Sequence, residues 1–129
     1  LVHNMCAMTL ENAPANIASK SSYASGAEGE AALAKIVGGG ETHAYFKTSL
    51  GRRFVDLLSD NIAHESKVGY TTLTKRVKTQ ILKDKELMIE DVKGAHWHFF
   101  RSSITGKVGP SEPLKKYLEE HGIKYTIYD

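Results

Sequence analysis

Two short apolar runs on either side of a polar turn form the central feature of the hydrophobic pattern. The runs are Phe54–Leu58 and Ile62–Val68, and residues 59–61 between them are Ser, Asp and Asn. Strand-like segments around turn-forming residues predict a β-hairpin. The preceding segment, His43–Leu50, has the apolar content of a further strand, so that a three-stranded meander is predicted.

Helical and strand patterns alternate along the rest of the chain. The predicted elements are the helices Gly26–Val37, Thr71–Met88 and Ser111–His121 and the strands Ala95–Arg101 and Ile123–Tyr128. Either Thr71 or Thr72 is positioned to cap the second helix. The order predicts an α/β fold whose mixed central sheet carries helices on both faces, with its last two strands parallel.

Composition restricts the possibilities only broadly. The 129 residues are 41% hydrophobic and 25% charged, with a net charge of +2, which permits nucleic-acid binding without requiring it. We expect a linker or N-terminal extension over residues 1–25 and one domain over 26–129. No apolar run approaches the length of about 18 residues that a membrane span needs, and the single Cys6 cannot form an internal disulfide.

The predicted hairpin brings candidate catalytic side chains together. If the loop is Ser59–Ile62, Asp56 lies opposite Glu65, and Lys67 shares the face of Glu65. Two carboxylates this close repel each other unless a cation lies between them. Magnesium suits such a pair, and a neighbouring lysine can stabilise the charge that grows on a phosphate. A solvated Glu–Lys pair on a surface hairpin is the alternative.

Other residues are candidates for the same site. One acid at the start of the first helix, Glu30 rather than Glu28, is expected to supply a further metal ligand. Gln80 is expected to orient substrate or water. The candidates for contacts with nucleic acid are Arg52, Lys75, Arg76, Lys78, Gln80, His98, Arg101 and Lys107. A basic helix face is often only its solvated side.

The His96-x-His98 pair on a strand is also a candidate for zinc binding. Tetrahedral zinc sites need more nitrogen or sulfur ligands than this pair offers, and His64 is the obvious additional candidate by residue type. The ligand count therefore favours histidines of the core or of a sheet edge. Base stacking by His98 or Trp97 is the functional alternative.

The spacing Asp56-x8-Glu65-x-Lys67, together with the element order, resembles the PD-(D/E)XK nucleases. This resemblance implies a restriction-endonuclease-like αβββαβ core with an extra helix and strand. Val55 stands where the literal motif has proline. Over about Gly51–Tyr128, segments such as Gly-Arg-Arg-Phe-Val-Asp, His-Glu-Ser-Lys-Val-Gly-Tyr and Thr-Gly-Lys-Val-Gly-Pro resemble C-terminal toxin domains of contact-dependent growth inhibition and other polymorphic bacterial toxins.

That resemblance implies a function and its residues. The expected activity is a metal-dependent ribonuclease that cleaves tRNA in a target bacterium, with Glu30, Asp56 and Glu65 holding magnesium, manganese or zinc and Lys67 assisting. The expected protein is an exported effector, monomeric apart from a heterodimer with its cognate immunity protein. A deoxyribonuclease of the same fold and a non-catalytic binding module for nucleic acid or protein are the alternatives.

Overall fold

The structure is a computed structural model, and it describes residues 22–129. Its elements are β1 (Ser22–Tyr23), α1 (Gly26–Val37), β2 (Glu41–Thr48), β3 (Gly51–Ser59), β4 (Ile62–Val68), α2 (Lys75–Glu90), β5 (Gly94–Ser102), α3 (Glu112–Glu120) and β6 (Lys124–Tyr128). Residues 1–21 of the predicted linker over 1–25 lie outside the described residues. Strand β1, which follows them, pairs in parallel with the end of β5.

The six strands form one mixed sheet. Strands β2, β3 and β4 form the predicted antiparallel meander, and β4, β5 and β6 run parallel. The strand order is β1-β5-β4-β3-β2, with β6 also paired to β5. The mixed α/β class, the hairpin and the parallel final strands are therefore confirmed.

Two hydrophobic cores fill the two faces of the sheet. The larger core includes Trp97 and Phe99 of β5, Ile81 of α2 and Leu114 of α3. The smaller core joins residues of α1, including Leu33, to the other face of the strands. Helices therefore cover both faces, as the sequence predicts, and the strand residues between them alternate in the direction of their side chains.

Two element boundaries differ from the sequence predictions. Helix α2 begins at Lys75, because Thr74 rather than Thr71 or Thr72 is its N-cap, and the Thr74 hydroxyl accepts a hydrogen bond from the Val77 N–H. Strand β2 begins and ends two residues before the predicted segment. A cap depends on backbone geometry as well as residue type, and three threonines in a row of four offer similar local signals.

Helix α1 lies unusually close to β4 at Gly29. A Cβ atom placed on Gly29 would lie 2.4 Å from Val68 Cγ2 and 3.0 Å from Ser66 Oγ. The absence of a side chain therefore allows the helix to pack tightly against the strand. This contact fixes the position of the next residue, Glu30, over the sheet.

Candidate functional site where β3 and β4 separate

The candidate site lies where the hairpin strands β3 and β4 separate. Their registered pairs run from Ser59↔Ile62 to Leu57↔His64. At the next position, the Asp56 side chain replaces the backbone as a partner, and its Oδ2 accepts a hydrogen bond of 2.8 Å from the Ser66 N–H. The carboxylate is thereby held between the two strands. The prediction that Asp56 and Glu65 converge on one face of the hairpin is therefore wrong: the Asp56 carboxylate turns into the gap beside Ser66, whereas Glu65 binds Arg53 on the other face.

A small ligand cluster surrounds Asp56. One ligand atom each of Glu30, His43 and Asp56 lies within 4.8 Å of the others. Glu30 Oε1 and His43 Nε2 are 2.9 Å apart. His43 has a positive φ of 52°, a conformation that costs energy for residues other than glycine and is frequent at functional sites. The structure therefore places Glu30 in the site, as the sequence predicts, and adds His43.

Glu28 has a different role from Glu30. Its carboxylate accepts a hydrogen bond from the Ala24 N–H, and its own N–H donates to the Ser25 hydroxyl. These contacts belong to the cap at the start of α1. Of the two acids that the sequence offers, the structure brings Glu30 to the cluster.

Glu65 points to the opposite face of the sheet, into a buried network of charges. It is 4% exposed, and its Oε1 accepts a hydrogen bond of 3.0 Å from Arg53. Arg53 also donates through Nε, at 2.8 Å, to Asp84, whose second oxygen accepts from Trp97 Nε1 at 2.9 Å. The network ties β3, β4, β5 and α2 together.

Lys67 links this network to the surface. Its Nζ lies 3.2 Å from Glu65 Oε2 and donates a hydrogen bond of 2.9 Å to Gln80 Oε1. It also lies 5.2 Å from the centroid of the Trp97 ring, which is within cation–π range. Glu65 therefore carries a cation on each of its oxygens. Its predicted role as a metal ligand remains a prediction, and in this arrangement it orients Lys67.

Burial governs the acidity of the two carboxyl groups. Desolvation raises the pKa of Asp56; the hydrogen bond from Ser66 opposes this shift, while the charge of Glu30 adds to it. Desolvation also raises the pKa of Glu65, against the attraction of Arg53. The pKa of Arg53 lies above its ordinary value because its attraction to Glu65 and Asp84 outweighs the effect of burial. A bound cation would lower the cost of keeping Asp56 charged.

A basic cleft lies beside Lys67, between β3 and α2. Its volume is about 400 Å3, and its lining residues are Arg52, Arg53, Phe54, Arg76, Thr79, Gln80 and Lys83. Three of the predicted contacts with nucleic acid, Arg52, Arg76 and Gln80, are therefore brought together. Lys75 and Lys78 are exposed nearby on the same helix.

The remaining predicted contacts lie elsewhere. Lys107 is exposed in the loop after β5. Arg101 donates hydrogen bonds to the Gly106 carbonyl and the Asp129 carboxylate, which occupy its guanidinium group. The expectation that His98 stacks on a base does not fit this structure, because the residue is 2% exposed and its ring is enclosed by other side chains.

Three important residues escaped the sequence prediction. Arg53 and Asp84 were not among the predicted site residues, yet they are 4% and 1% exposed and form the centre of the buried network. Asp84 lies three residues after Ile81 and three before Leu87, both buried, and this apolar spacing is a signal that could have placed it inside. His43 gives no such signal, because its role depends on an irregular backbone.

A second group of possible metal ligands lies outside this site. His64, His96 and His98 each offer a ligand atom within 4.8 Å of the others. The sequence argument disfavoured zinc because of the small number of ligands, and it named His64 as the additional candidate by residue type only. The register of the parallel strands β4 and β5 aligns His64 directly with His96.

Comparisons with models of protein families, with curated proteins and with solved structures give no match for this chain. Among the helices of residues 22–129, none combines the length and the apolar character that crossing a membrane requires.

Proposed function

We propose that this domain is a metal-dependent endonuclease of the PD-(D/E)XK type that cleaves RNA, with tRNA as its substrate. The observation that carries the proposal is the arrangement around Asp56. A carboxylate held between separating strands lies beside Glu30 of α1 and His43 of β2. Lys67 of β4 lies with Glu65 on the other face of the sheet, and its positive charge attracts the Asp56 carboxylate. Phosphodiester hydrolysis needs positive charge next to a phosphate and an activated water.

The donor set fits a divalent cation. Two carboxylates and one imidazole come within reach of a common point, and Ser66 Oγ, next to the backbone N–H that binds Asp56, is the buried side-chain polar atom that lacks a hydrogen-bond partner within residues 22–129. Oxygen ligands suit magnesium, whereas an imidazole in the set favours manganese or zinc. When bound, the cation would lower the pKa of a water molecule and offset phosphate charge.

Basic side chains would bind the phosphate groups of the substrate and stabilise the charge that develops during hydrolysis. Lys67 is held by Glu65 and Gln80, so that its ammonium group is positioned to stabilise the negative charge that develops on the phosphate. Arg52 and Arg76 in the basic cleft bind the phosphates on either side. Water attacks phosphorus and gives one proton to solvent, the bond to the leaving oxygen breaks, and that oxygen takes up a proton from solvent.

We further propose that the domain acts as an exported toxin with a cognate immunity protein. This part rests on the sequence resemblance to growth-inhibition toxins. The basic cleft suits an inhibitor with an acidic surface. Producing the isolated domain in bacteria without an inhibitor tests it: we expect growth arrest, and Lys67→Ala should restore growth. Normal growth with active wild-type domain present would contradict toxicity.

A non-catalytic binding module is the second candidate, and one observation favours it. Both oxygens of Glu65 are paired with Arg53 and Lys67, as expected of residues that stabilise a fold. In that case the basic cleft would bind nucleic acid without cutting it, and substitution of Lys67 would change affinity alone.

One experiment separates these functions. Total tRNA and plasmid DNA are incubated with the protein, with magnesium, manganese or excess chelator. We expect RNA cleavage that needs the metal, and its loss in Asp56→Asn and Lys67→Ala. Lys116→Ala, an exposed lysine on α3, is the matched control and should cut normally. Circular dichroism checks that each variant is folded.

Each alternative outcome has a defined meaning. Cleavage of DNA alone identifies the deoxyribonuclease, and binding without cleavage identifies the module. Cleavage that persists in excess chelator contradicts the metal mechanism. Full activity in folded Lys67→Ala removes the proposed role of the lysine.

A further inference from the structure

The three histidines of the second group come from two neighbouring strands and point to one face of the sheet. His64 lies on β4 and pairs in register with His96 on β5, and His98 follows two residues later. Alternation therefore directs all three rings away from the face of Glu65 and Trp97. The rings of His96 and His98 are stacked with centroids 4.1 Å apart, and the centroids of His64 and His98 are 5.1 Å apart.

The distance between ring nitrogens approaches that of a metal site. His64 Nδ1 and His98 Nε2 are 2.9 Å apart. Two imidazole nitrogens bound tetrahedrally to zinc are separated by about 3.3 Å, given bond lengths of about 2.0 to 2.1 Å. Binding therefore requires an opening of about 0.4 Å, which a small rotation of one ring provides. One ring nitrogen each of His64, His96 and His98 lies within 4.8 Å of the other two.

The outer side of the cluster has suitable hydrogen-bond partners. His98 Nδ1 lies 2.8 Å from the Tyr128 hydroxyl, and His96 Nε2 lies 2.7 Å from the Thr126 hydroxyl. A hydroxyl group can accept as well as donate. Tyr128 can therefore hold the proton of His98 on Nδ1, which leaves Nε2 free to bind a metal. Histidine ligands of metals commonly have such a partner on their second nitrogen.

The rings are also in the correct charge state. Burial lowers the pKa of His64, His96 and His98, that of His96 to about 4. Neutral imidazole is the form that binds a metal, so no proton has to leave near pH 7. The charge of Asp60 opposes this lowering of the pKa at His64, whereas Lys124 adds to it at His96. His96 is only partly buried, which leaves a route for the ion and a water molecule.

We propose that His64, His96 and His98 bind a zinc ion through one nitrogen each, with water as the fourth ligand. This site shares no residue with the cluster around Asp56 and does not depend on the nuclease proposal. The bound ion would cross-link β4 and β5 on the face that α1 covers. Three neutral nitrogen ligands select zinc and related transition metals over magnesium.

Titration of the full chain with zinc chloride, followed by calorimetry, tests the proposal. The Asp56→Asn variant removes a carboxylate from the other cluster, and we expect it to retain one zinc ion per chain. In that background, His96→Gln should weaken zinc binding by roughly 100-fold or more. His121→Gln is the matched control, because His121 lies at the end of α3 and bonds to the Tyr117 carbonyl; it should bind zinc normally.

A second measurement uses the wild-type protein and therefore does not depend on the folding of the variants. Cobalt(II) is added in place of zinc, and a four-coordinate site with nitrogen ligands should give strong visible absorption. Added zinc should displace the cobalt and remove this absorption. Unchanged zinc affinity in folded His96→Gln and His64→Gln would overturn the proposal. So would loss of all zinc binding in Asp56→Asn alone, or cobalt bound without a four-coordinate spectrum.

Discussion

The buried network around Arg53 leads to a quantitative prediction for Asp84→Asn. Asp84 is 1% exposed and accepts hydrogen bonds from Arg53 Nε at 2.8 Å, from a second nitrogen of Arg53 at 3.2 Å and from Trp97 at 2.9 Å. The amide has no charge, and its NH2 group faces donors. Arg53 would keep Glu65 as its only anionic partner, and Glu65 already binds Lys67.

The magnitude follows from the cost of an unbalanced buried charge. Removing one partner of a buried ion pair costs about 3 to 5 kcal/mol. For a domain near 100 residues, each kcal/mol lowers the melting temperature by roughly 4 °C. We therefore expect a loss of about 10 to 20 °C in Asp84→Asn.

Denaturant and thermal unfolding measure this loss. Glu112→Gln is the control, because it breaks the exposed Lys115–Glu112 pair and should change the free energy of unfolding by less than about 1 kcal/mol. Combining Arg53→Met with Asp84→Asn should cost less than the sum of the two single substitutions, because the unpaired charge is gone. An Asp84→Asn variant as stable as Glu112→Gln would refute the reasoning.

Three further predictions concern stability. Asp56→Asn should stabilise the protein at pH 8, because the pKa of Asp56 is raised in the folded state and its ionised form therefore opposes folding above that pKa. Chemical unfolding should show that this gain in the free energy of unfolding shrinks as the pH falls through the pKa of Asp56. A gain in stability that grows on acidification would contradict the prediction. Gly29→Ala should cost about 1 to 3 kcal/mol through overpacking against β4, whereas Gly26→Ala, with open space around it, should be close to neutral in thermal unfolding. Thr74→Ala should cost about 1 kcal/mol as the loss of a helix cap, while Thr72→Ala should not, and equal effects would move the start of α2.

Much of the fold was accessible from local patterns. The polar tripeptide at 59–61 and the flanking apolar runs correctly predicted the hairpin. The predicted convergence of Asp56 and Glu65 on one face was wrong, because the strands separate at Asp56. Alternation and the right-handed crossover rule correctly predicted a parallel β5–β6 pair. These features depend on residues close in sequence, or on general rules of chain topology.

The rest depends on contacts between distant residues. The pairing of Arg53 with Asp84 joins positions 31 residues apart, and the contact of His64 with His98 joins positions 34 apart. The sequence contains the residue types but not the register that aligns them. His43 enters the candidate site through a left-handed backbone position, which no alternation pattern foresees. The nuclease activity itself remains a prediction.

The binding of two carboxylates by the single Arg53 guanidinium group limits how this domain can vary over evolution. Glu65 and Asp84 sit on different elements, β4 and α2, and both depend on the same guanidinium group. A substitution at any one of the three positions leaves a buried charge at the other two without its partner. We therefore expect substitutions at these positions to occur together. In an alignment of relatives, we expect these positions to covary as a trio, and that covariation would mark kinship even in sequences whose Asp56 or Lys67 has been lost.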